Sequence, residues 1–262
     1  VTDEEAGSKA IRDHDVVFHL AAHINVDESL ANPYKTIMVN VAGTLNVLNA
    51  VRESGSRLIY VSSCEVYGDG HQGDGILNES AELLPNSPYA ASKVAADRIC
   101  HAFAKSFNIP VVILRPFNIF GERQKSGQFG ALIPILVRKA LAGEQLSVYG
   151  DGKQERDFTY ISDIIDAYEL VLNSKIHSGE VINLGSGKST TIIDIAKYIS
   201  KKLGVKISFV PARPGEVARF IPDTTKARLI GWKPKVSLWQ GIDRYIIWAK
   251  NNAKNGNVYA KI

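Results

Sequence analysis

One run limits the fold more than any other: Val16-Val17-Phe18-His19-Leu20-Ala21-Ala22, apolar at almost every position. A strand of this kind, expected over 15–22, is apolar on both faces and belongs inside a parallel sheet covered by helices. The theme then repeats. A helix is expected from Pro33 to Ser54, closed by Gly55, and then a second apolar strand from Arg57 to Ser63. A helix from Pro88 to about Phe107 and a third strand, Val111 to Pro116, follow. Ahead of them, Thr2-Asp3-Glu4-Glu5 can cap a short helix running to about Arg12. Strand–helix alternation predicts an α/β protein, a doubly wound parallel sheet with right-handed crossovers.

Beyond Phe117 the pattern loosens. Helices are expected near 131–142, 162–173, 192–203 and 238–252, with strands at 146–149, 181–184 and 206–210. The helix 162–173 and the strand 181–184 return to the sheet; much of the remainder forms a smaller C-terminal lobe.

Composition narrows the class. The chain has 262 residues, 45% hydrophobic and 22% charged, enough for a large core in one or two joined units. No apolar run approaches the roughly 20 residues that span a bilayer, so no membrane role is expected. No secretory leader is evident, and Cys64 and Cys100 are a poor disulfide framework, so a cytoplasmic setting is expected. No Cys/His spacing suggests a metal. The net charge of +4 is scattered, without the lysine/arginine blocks of a nucleic-acid binder.

Chemistry concentrates in Ser87-Pro88-Tyr89-Ala90-Ala91-Ser92-Lys93. Ser87 suits an N-cap and Pro88 the first helical position. Tyr89 and Lys93 then share one helical face, one turn apart. An ammonium beside a phenol favours the phenolate, so the Tyr89 pKa is expected to fall and the residue to serve as a base. The alternative is a surface tyrosine and a solvated lysine. Ser63 favours chemistry, because it lies where an apolar strand gives out, and ligands of open α/β sheets gather beyond strand carboxyl ends.

Ser62-Ser63-Cys64-Glu65-Val66-Tyr67-Gly68, followed by Ser87-Pro88-Tyr89-Ala90-Ala91-Ser92-Lys93, resembles the extended short-chain dehydrogenase/reductase family, the nucleotide-sugar epimerases and dehydratases. The likeness takes in Asn40 with Gly43-Thr44, Leu114-Arg115-Pro116-Phe117-Asn118, Arg156-Asp157-Phe158 and Arg213-Pro214-Gly215-Glu216. It implies a Rossmann-like NAD-binding domain over 1–117 and 157–186, and a nucleotide-sugar lobe over 118–156 and 187–262. It also implies a bound NAD, reduced and reoxidised in each cycle. Tyr89 would take a proton from a sugar hydroxyl, Ser63 would orient that oxygen, and Lys93 would tune Tyr89 and hold the nicotinamide ribose. Ala21, Ala22, Asn40, Ser62 and Pro116 would lie against the cofactor. Asn118, Arg156, Arg213 and Glu216 would hold the nucleotide sugar, with a UDP-sugar expected. A salt bridge to Asp157 or Asp163 is the alternative for Arg156, and plain solvation for Arg213. The helices 33–54 and 88–107 would pair in a homodimer.

Glu65 divides the family's reactions. Related 4,6-dehydratases place a glutamate here, with an aspartate or serine before it, to remove a sugar C5 proton. Here Cys64 stands before Glu65, and a thiol is a poorer acid for a departing hydroxyl. Glu65 is open between a catalytic role and a bond to a loop amide. His19 reads as a hydrogen-bonded core histidine; His23 is open.

No Gly-x-Gly-x-x-Gly precedes the first strand. By family comparison the chain would then start inside the third crossover, leaving an N-terminally truncated sheet and weak dinucleotide binding. Gly185-Ser186-Gly187-Lys188-Ser189 looks like the end of a P-loop, but Ile182 stands where that motif requires glycine, so a strand-to-helix turn is expected. The readings are a 4-epimerase, a 4,6-dehydratase using Glu65, and a noncatalytic nucleotide-sugar binder.

Overall fold

The computed structural model describes residues 1–68, 75–127, 130–212 and 218–254, the side chains of 253 and 254 excepted. Four parallel strands form the main sheet in chain order: β1 (Val16–His19), β2 (Arg57–Val61), β3 (Val111–Pro116) and β4 (Glu180–Leu184). Register aligns His19 with Tyr60, Tyr60 with Ile113, and Ile113 with Val181.

Side-chain alternation along the strands builds two cores. Leu58, Tyr60, Val111 and Ile113 face the helices Gly43–Ser54 and Pro88–Phe107, packing with Leu48, Val51, Ala96 and Cys100. Ile59, Val112 and Leu114 face the helix Ile161–Leu172, packing with Ile164, Ala167, Val171 and Trp232. Helices thus cover both faces, the doubly wound arrangement expected. A third cluster joins Ile133, Leu136, Leu146, Ile195, Ile199 and Ile242 in the C-terminal part.

β1 departs from its expectation. It is shorter than 15–22 and only its last residue, His19, is fully buried. Among the described residues it pairs with β2 alone, so one edge lacks a neighbour. Leu20 and Ile24 beyond it are more than half exposed.

The helix expected over 33–54 is present but not uniform. Pro33–Ile37 and Gly43–Ser54 are α-helical, and a π-turn, Met38–Ala42, joins them. Gly55 closes the last at φ 74°, the left-handed cap that glycine adopts without strain. Asp3 caps the first helix, Glu4–Ile11, accepting from the Ala6 amide at 2.9 Å. The long helix ends at Phe107, with Asn108 in the left-handed conformation. Unanticipated short strands, Glu155–Arg156, Thr190–Thr191, Arg219–Pro222 and Ile76–Leu77, form a second sheet. Two-residue strands carry no periodicity to read.

Candidate active site

The site begins at the long helix. Ser87 Oγ accepts from the Ala90 amide at 3.1 Å, and Pro88 occupies the first turn. The Tyr89 amide, one of the orphan donors of a helix start, donates to the buried Ser29 hydroxyl at 3.1 Å. The Tyr89 carbonyl accepts from Ser92 Oγ at 2.7 Å, and Ser92 Oγ accepts from Asn40 Nδ2 at 2.8 Å. The backbone carrying the phenol is therefore tied down on both sides.

Asn40 sits in the π-turn, and π-turns concentrate at functional sites. Its Oδ1 accepts from the His23 amide at 2.7 Å, and its Nδ2 also donates to the His23 carbonyl at 3.0 Å. Both amide hydrogens are used internally. Asn40 links the turn after β1 to the helix of Tyr89. His23, open from sequence, is placed by Thr36 Oγ1 at 2.9 Å and Glu28 Oε2 at 2.8 Å. His19 is the core histidine expected, 2.9 Å from Thr44 Oγ1. Thr44 gives its own proton to the Asn40 carbonyl, so His19 Nε2 is the donor. Burial, then the charge of Lys93, brings its pKa down to about 4.

Ser63 ends the second strand segment with extended backbone and caps the 3-10 turn Cys64–Tyr67, accepting from the Glu65 amide at 3.2 Å. Its hydroxyl lies close enough to the Tyr89 phenol to favour the phenolate, so the two residues predicted to cooperate are brought into one corner. Gly68 closes the turn at φ 47°, where a Cβ would stand 1.8 Å from the Leu84 carbonyl oxygen.

The expected tuning of Tyr89 is reversed. Burial pushes its pKa up to about 12, with the Ser63 hydroxyl opposing and Cys64 and Glu65 adding to the rise. Lys93 does not hold it down, because the ammonium donates to the Val61 carbonyl at 2.7 Å and lies 4.8 Å from the centre of the Tyr60 ring. Burial lowers the Lys93 pKa to about 8, with Cys100 and Asp97 opposing.

Glu65 and Cys64 line the same corner. Burial raises the Glu65 pKa, and Arg156 opposes it. Burial, then the Glu65 charge, raises the Cys64 thiol; the Asn118 amide, Arg156 and the Ser63 hydroxyl oppose. Ser63, Cys64, Glu65, Tyr89 and Arg156 therefore share one electrostatic neighbourhood. Asn118 donates from Nδ2 to the Asp157 carbonyl at 2.8 Å. Arg156 donates to the Glu155 carbonyl at 2.9 Å, and its charge opposes the rise of the Glu65 pKa. Arg213 and Glu216 lie outside the described residues. Pro116 is buried at the end of β3, while Ala21 and Ala22 lie in the turn beyond β1, Ala21 exposed.

Ser62 points elsewhere. Its hydroxyl donates to Asp97 Oδ2 at 2.7 Å. Asp97, one helical turn beyond Lys93, opens a buried network that sequence reasoning missed. Arg115 grips it from Nε and Nη2, both at 2.9 Å, and donates from Nη1 to the Tyr67 hydroxyl at 3.0 Å. The available signal was an acid four residues after Lys93 and an arginine inside an apolar strand.

The P-loop look-alike is also settled by geometry. The Asp157 carboxylate fills the turn, accepting from the Ser186 amide at 2.8 Å, Ser186 Oγ at 2.7 Å and the Lys188 amide at 3.0 Å. The nest of amides already holds an internal anion. Among the described residues no acidic, histidine or cysteine cluster could hold a metal, and no helix is long and apolar enough to cross a membrane.

A doubly wound parallel sheet with serine, tyrosine and lysine gathered beyond its strand ends defines an enzyme of the short-chain dehydrogenase/reductase type. Residues 1–185 match the NAD dependent epimerase/dehydratase family, and the chain belongs to it. It is 34% identical to a putative UDP-glucose 4-epimerase of Methanocaldococcus jannaschii, across 96% of this chain and 83% of that protein. It is 35% identical to a UDP-N-acetyl-alpha-D-glucosaminuronate decarboxylase of Bacillus cytotoxicus, across 95% and 80%. The fold superposes on a dTDP-glucose 4,6-dehydratase from Streptomyces venezuelae, crystallised with NAD, at a TM-score of 0.88 with 32% identity, across 97% and 78%. The family's cofactor is NAD. The nicotinamide end fits the residues present: Lys93 is a buried ammonium with a single hydrogen-bond acceptor among the described residues, at the sheet end where such a cofactor lies.

Proposed function

We propose that this chain is an NAD-dependent nucleotide-sugar 4-epimerase acting on a UDP-sugar. The observation that carries the reading is the buried Tyr89 phenol within the influence of the Ser63 hydroxyl, one helical turn from an under-satisfied Lys93. NAD, when bound, would supply the hydride acceptor and donor for the sugar C4 and a positive charge beside Tyr89 and Lys93. The chain's residues manage the proton and the pose. Ser63 holds the C4 oxygen; Tyr89, in the phenolate form that the cofactor's positive charge would favour, takes its proton as the carbonyl forms, and the resulting phenol returns that proton after the 4-keto sugar has turned over. Lys93 turns its remaining N–H donors to the nicotinamide ribose. Asn118 and Arg156, with Arg213 and Glu216, hold the nucleotide diphosphate and its ribose. Ile37, Met38, Leu45 and Phe107 leave an exposed apolar face on the helices proposed to pair in a homodimer. A reducing cytoplasm suits the free thiols Cys64 and Cys100.

Cys64 favours epimerisation. Elimination needs an acid for the departing C6 hydroxyl, and a buried thiol with a raised pKa is a poor one. Glu65 carries the second reading, 4,6-dehydration, because its partly buried carboxyl lies near Tyr89. The test is incubation with NAD and UDP-glucose, followed by proton NMR. Interconversion with UDP-galactose is expected. A 4-keto-6-deoxy product would replace epimerisation with the second reading, and UDP binding without turnover of any UDP-, GDP- or dTDP-sugar would leave a noncatalytic binder.

A further inference from the structure

We propose that Arg115 is a positioning residue that holds the Ser63–Glu65 turn in register with the helix of Tyr89 and Lys93. The inference rests on reading those residues as the catalytic set.

The guanidinium is 1% exposed on β3. Two of its donors grip Asp97, which lies on the Tyr89–Lys93 helix. Asp97 Oδ2 also accepts from Ser62, the residue before the turn. A third donor reaches Tyr67, the last residue of the turn, at 3.0 Å, and the Glu79 carbonyl at 3.3 Å. Tyr67 passes the contact to Asn183 Oδ1 on β4 at 2.6 Å. One planar fork therefore fixes both ends of the turn and the helix opposite it. Ser62 and Ser63 are chain neighbours, so fixing the Ser62 hydroxyl on Asp97 also fixes the backbone that carries Ser63.

Stability alone does not account for this choice. Replacing a buried ion pair with well-packed apolar side chains is often neutral or stabilising. Registry is the use a rigid fork serves and a flexible ammonium does not. The network also neighbours Lys93, which is faced by Asp97 and Cys100 from its own helix and by His19 and Tyr60 from β1 and β2.

The test compares Arg115→Lys, Tyr67→Phe and Tyr89→Phe with the parent, each as the full chain with NAD. Two readouts are taken: turnover of UDP-glucose, and the titration of Lys93 followed by its ε-carbon NMR signal, which needs no substrate. For Arg115→Lys we expect kcat to fall at least about 10-fold with KM changed less than about 2-fold. The Lys93 midpoint should move upward, because Asp97 is less fully neutralised. Tyr67→Phe, which keeps the ion pair, should stay folded and lose roughly 3- to 10-fold in kcat. A folded Arg115→Lys with parental kcat and an unmoved Lys93 midpoint overturns the proposal. So does a parental Tyr67→Phe if Arg115→Lys does not fold. Should the chain leave UDP-glucose unchanged, the Lys93 midpoint decides. Tyr89→Phe separates the two claims: full turnover without the phenol sinks the catalytic reading itself, whereas an inactive Tyr89→Phe beside a parental Arg115→Lys sinks only this one.

Discussion

Ser62 and Ser63 are chain neighbours that enter two differently built regions. Ser62 enters the buried network, where burial is answered by partners. Burial would push the Asp97 carboxyl up, yet the hydrogen bonds and charge of Arg115, helped by Arg98, hold it below its usual range. Ser63 enters a corner where burial outweighs the charges that answer it. Tyr89 stands near 12, Lys93 near 8, and Glu65 is raised, each displaced first by desolvation. The desolvation is common to both regions; only the supply of compensating charge differs. The first region is complete as it stands. The second holds groups whose charged forms are disfavoured until a ligand brings charge of its own, the condition expected of a working site.

The sharpest way to break this contrast is to remove the phenol. Tyr89→Phe should lower kcat by about 10²–10⁴-fold, while urea denaturation finds its stability little changed. Unfolding by this variant would place Tyr89 with the structural network. The opposite pattern is expected below. Arg115→Met leaves Asp97 buried without its main partner and should cost about 3–5 kcal/mol in urea denaturation.

Lys93 gives a smaller and pH-dependent effect. A pKa lowered from 10.5 to about 8 means that the fold disfavours the ammonium by on the order of 3 kcal/mol. Between those pH values the unfolded chain binds more protons, so parental stability rises with pH. Lys93→Met escapes the penalty. Its stability advantage at pH 7 should shrink as pH climbs from 8 to 10.5, measured by denaturation midpoints across that range. An advantage that is flat with pH would show that Lys93 is already solvated or fully paired.

The fold was legible where runs were long. The helix over 88–107 came with its own Ser87 cap and Pro88, and the apolar stretches of 57–63 and 111–116 could be read as buried strands. The pairing of Ser63 with Tyr89 was legible because a hydroxyl at a strand end and a tyrosine in a helix's first turn both face the same sheet edge. The sign of the Tyr89 shift was not. Sequence spacing places Lys93 one turn away, but it cannot tell that the ammonium spends itself on Val61 while desolvation dominates the phenol. Arg115 and Asp97 escaped for a related reason, since a buried ion pair between separate elements leaves no local period to read.

Glu65 offers the smallest effect and the finest discrimination. Burial raises its pKa, and Glu65→Gln removes the charge that burial penalises while keeping the side chain's shape. For an epimerase, which moves hydride and proton only at C4, Glu65→Gln should leave kcat within about 3-fold. A dehydratase needs this carboxylate for the C5 proton and should lose about 10²-fold or more. The same variant reports on the corner's electrostatics without any substrate. A folded pKa above the unfolded value contributes stability at low pH that is lost as pH rises through the folded value. Relative to Glu65→Gln, the parent should therefore lose stability as pH rises from 4.5. A constant difference between parent and variant over that range would mean that Arg156 already compensates Glu65, which would move this residue from the region where burial outweighs charge to the answered one.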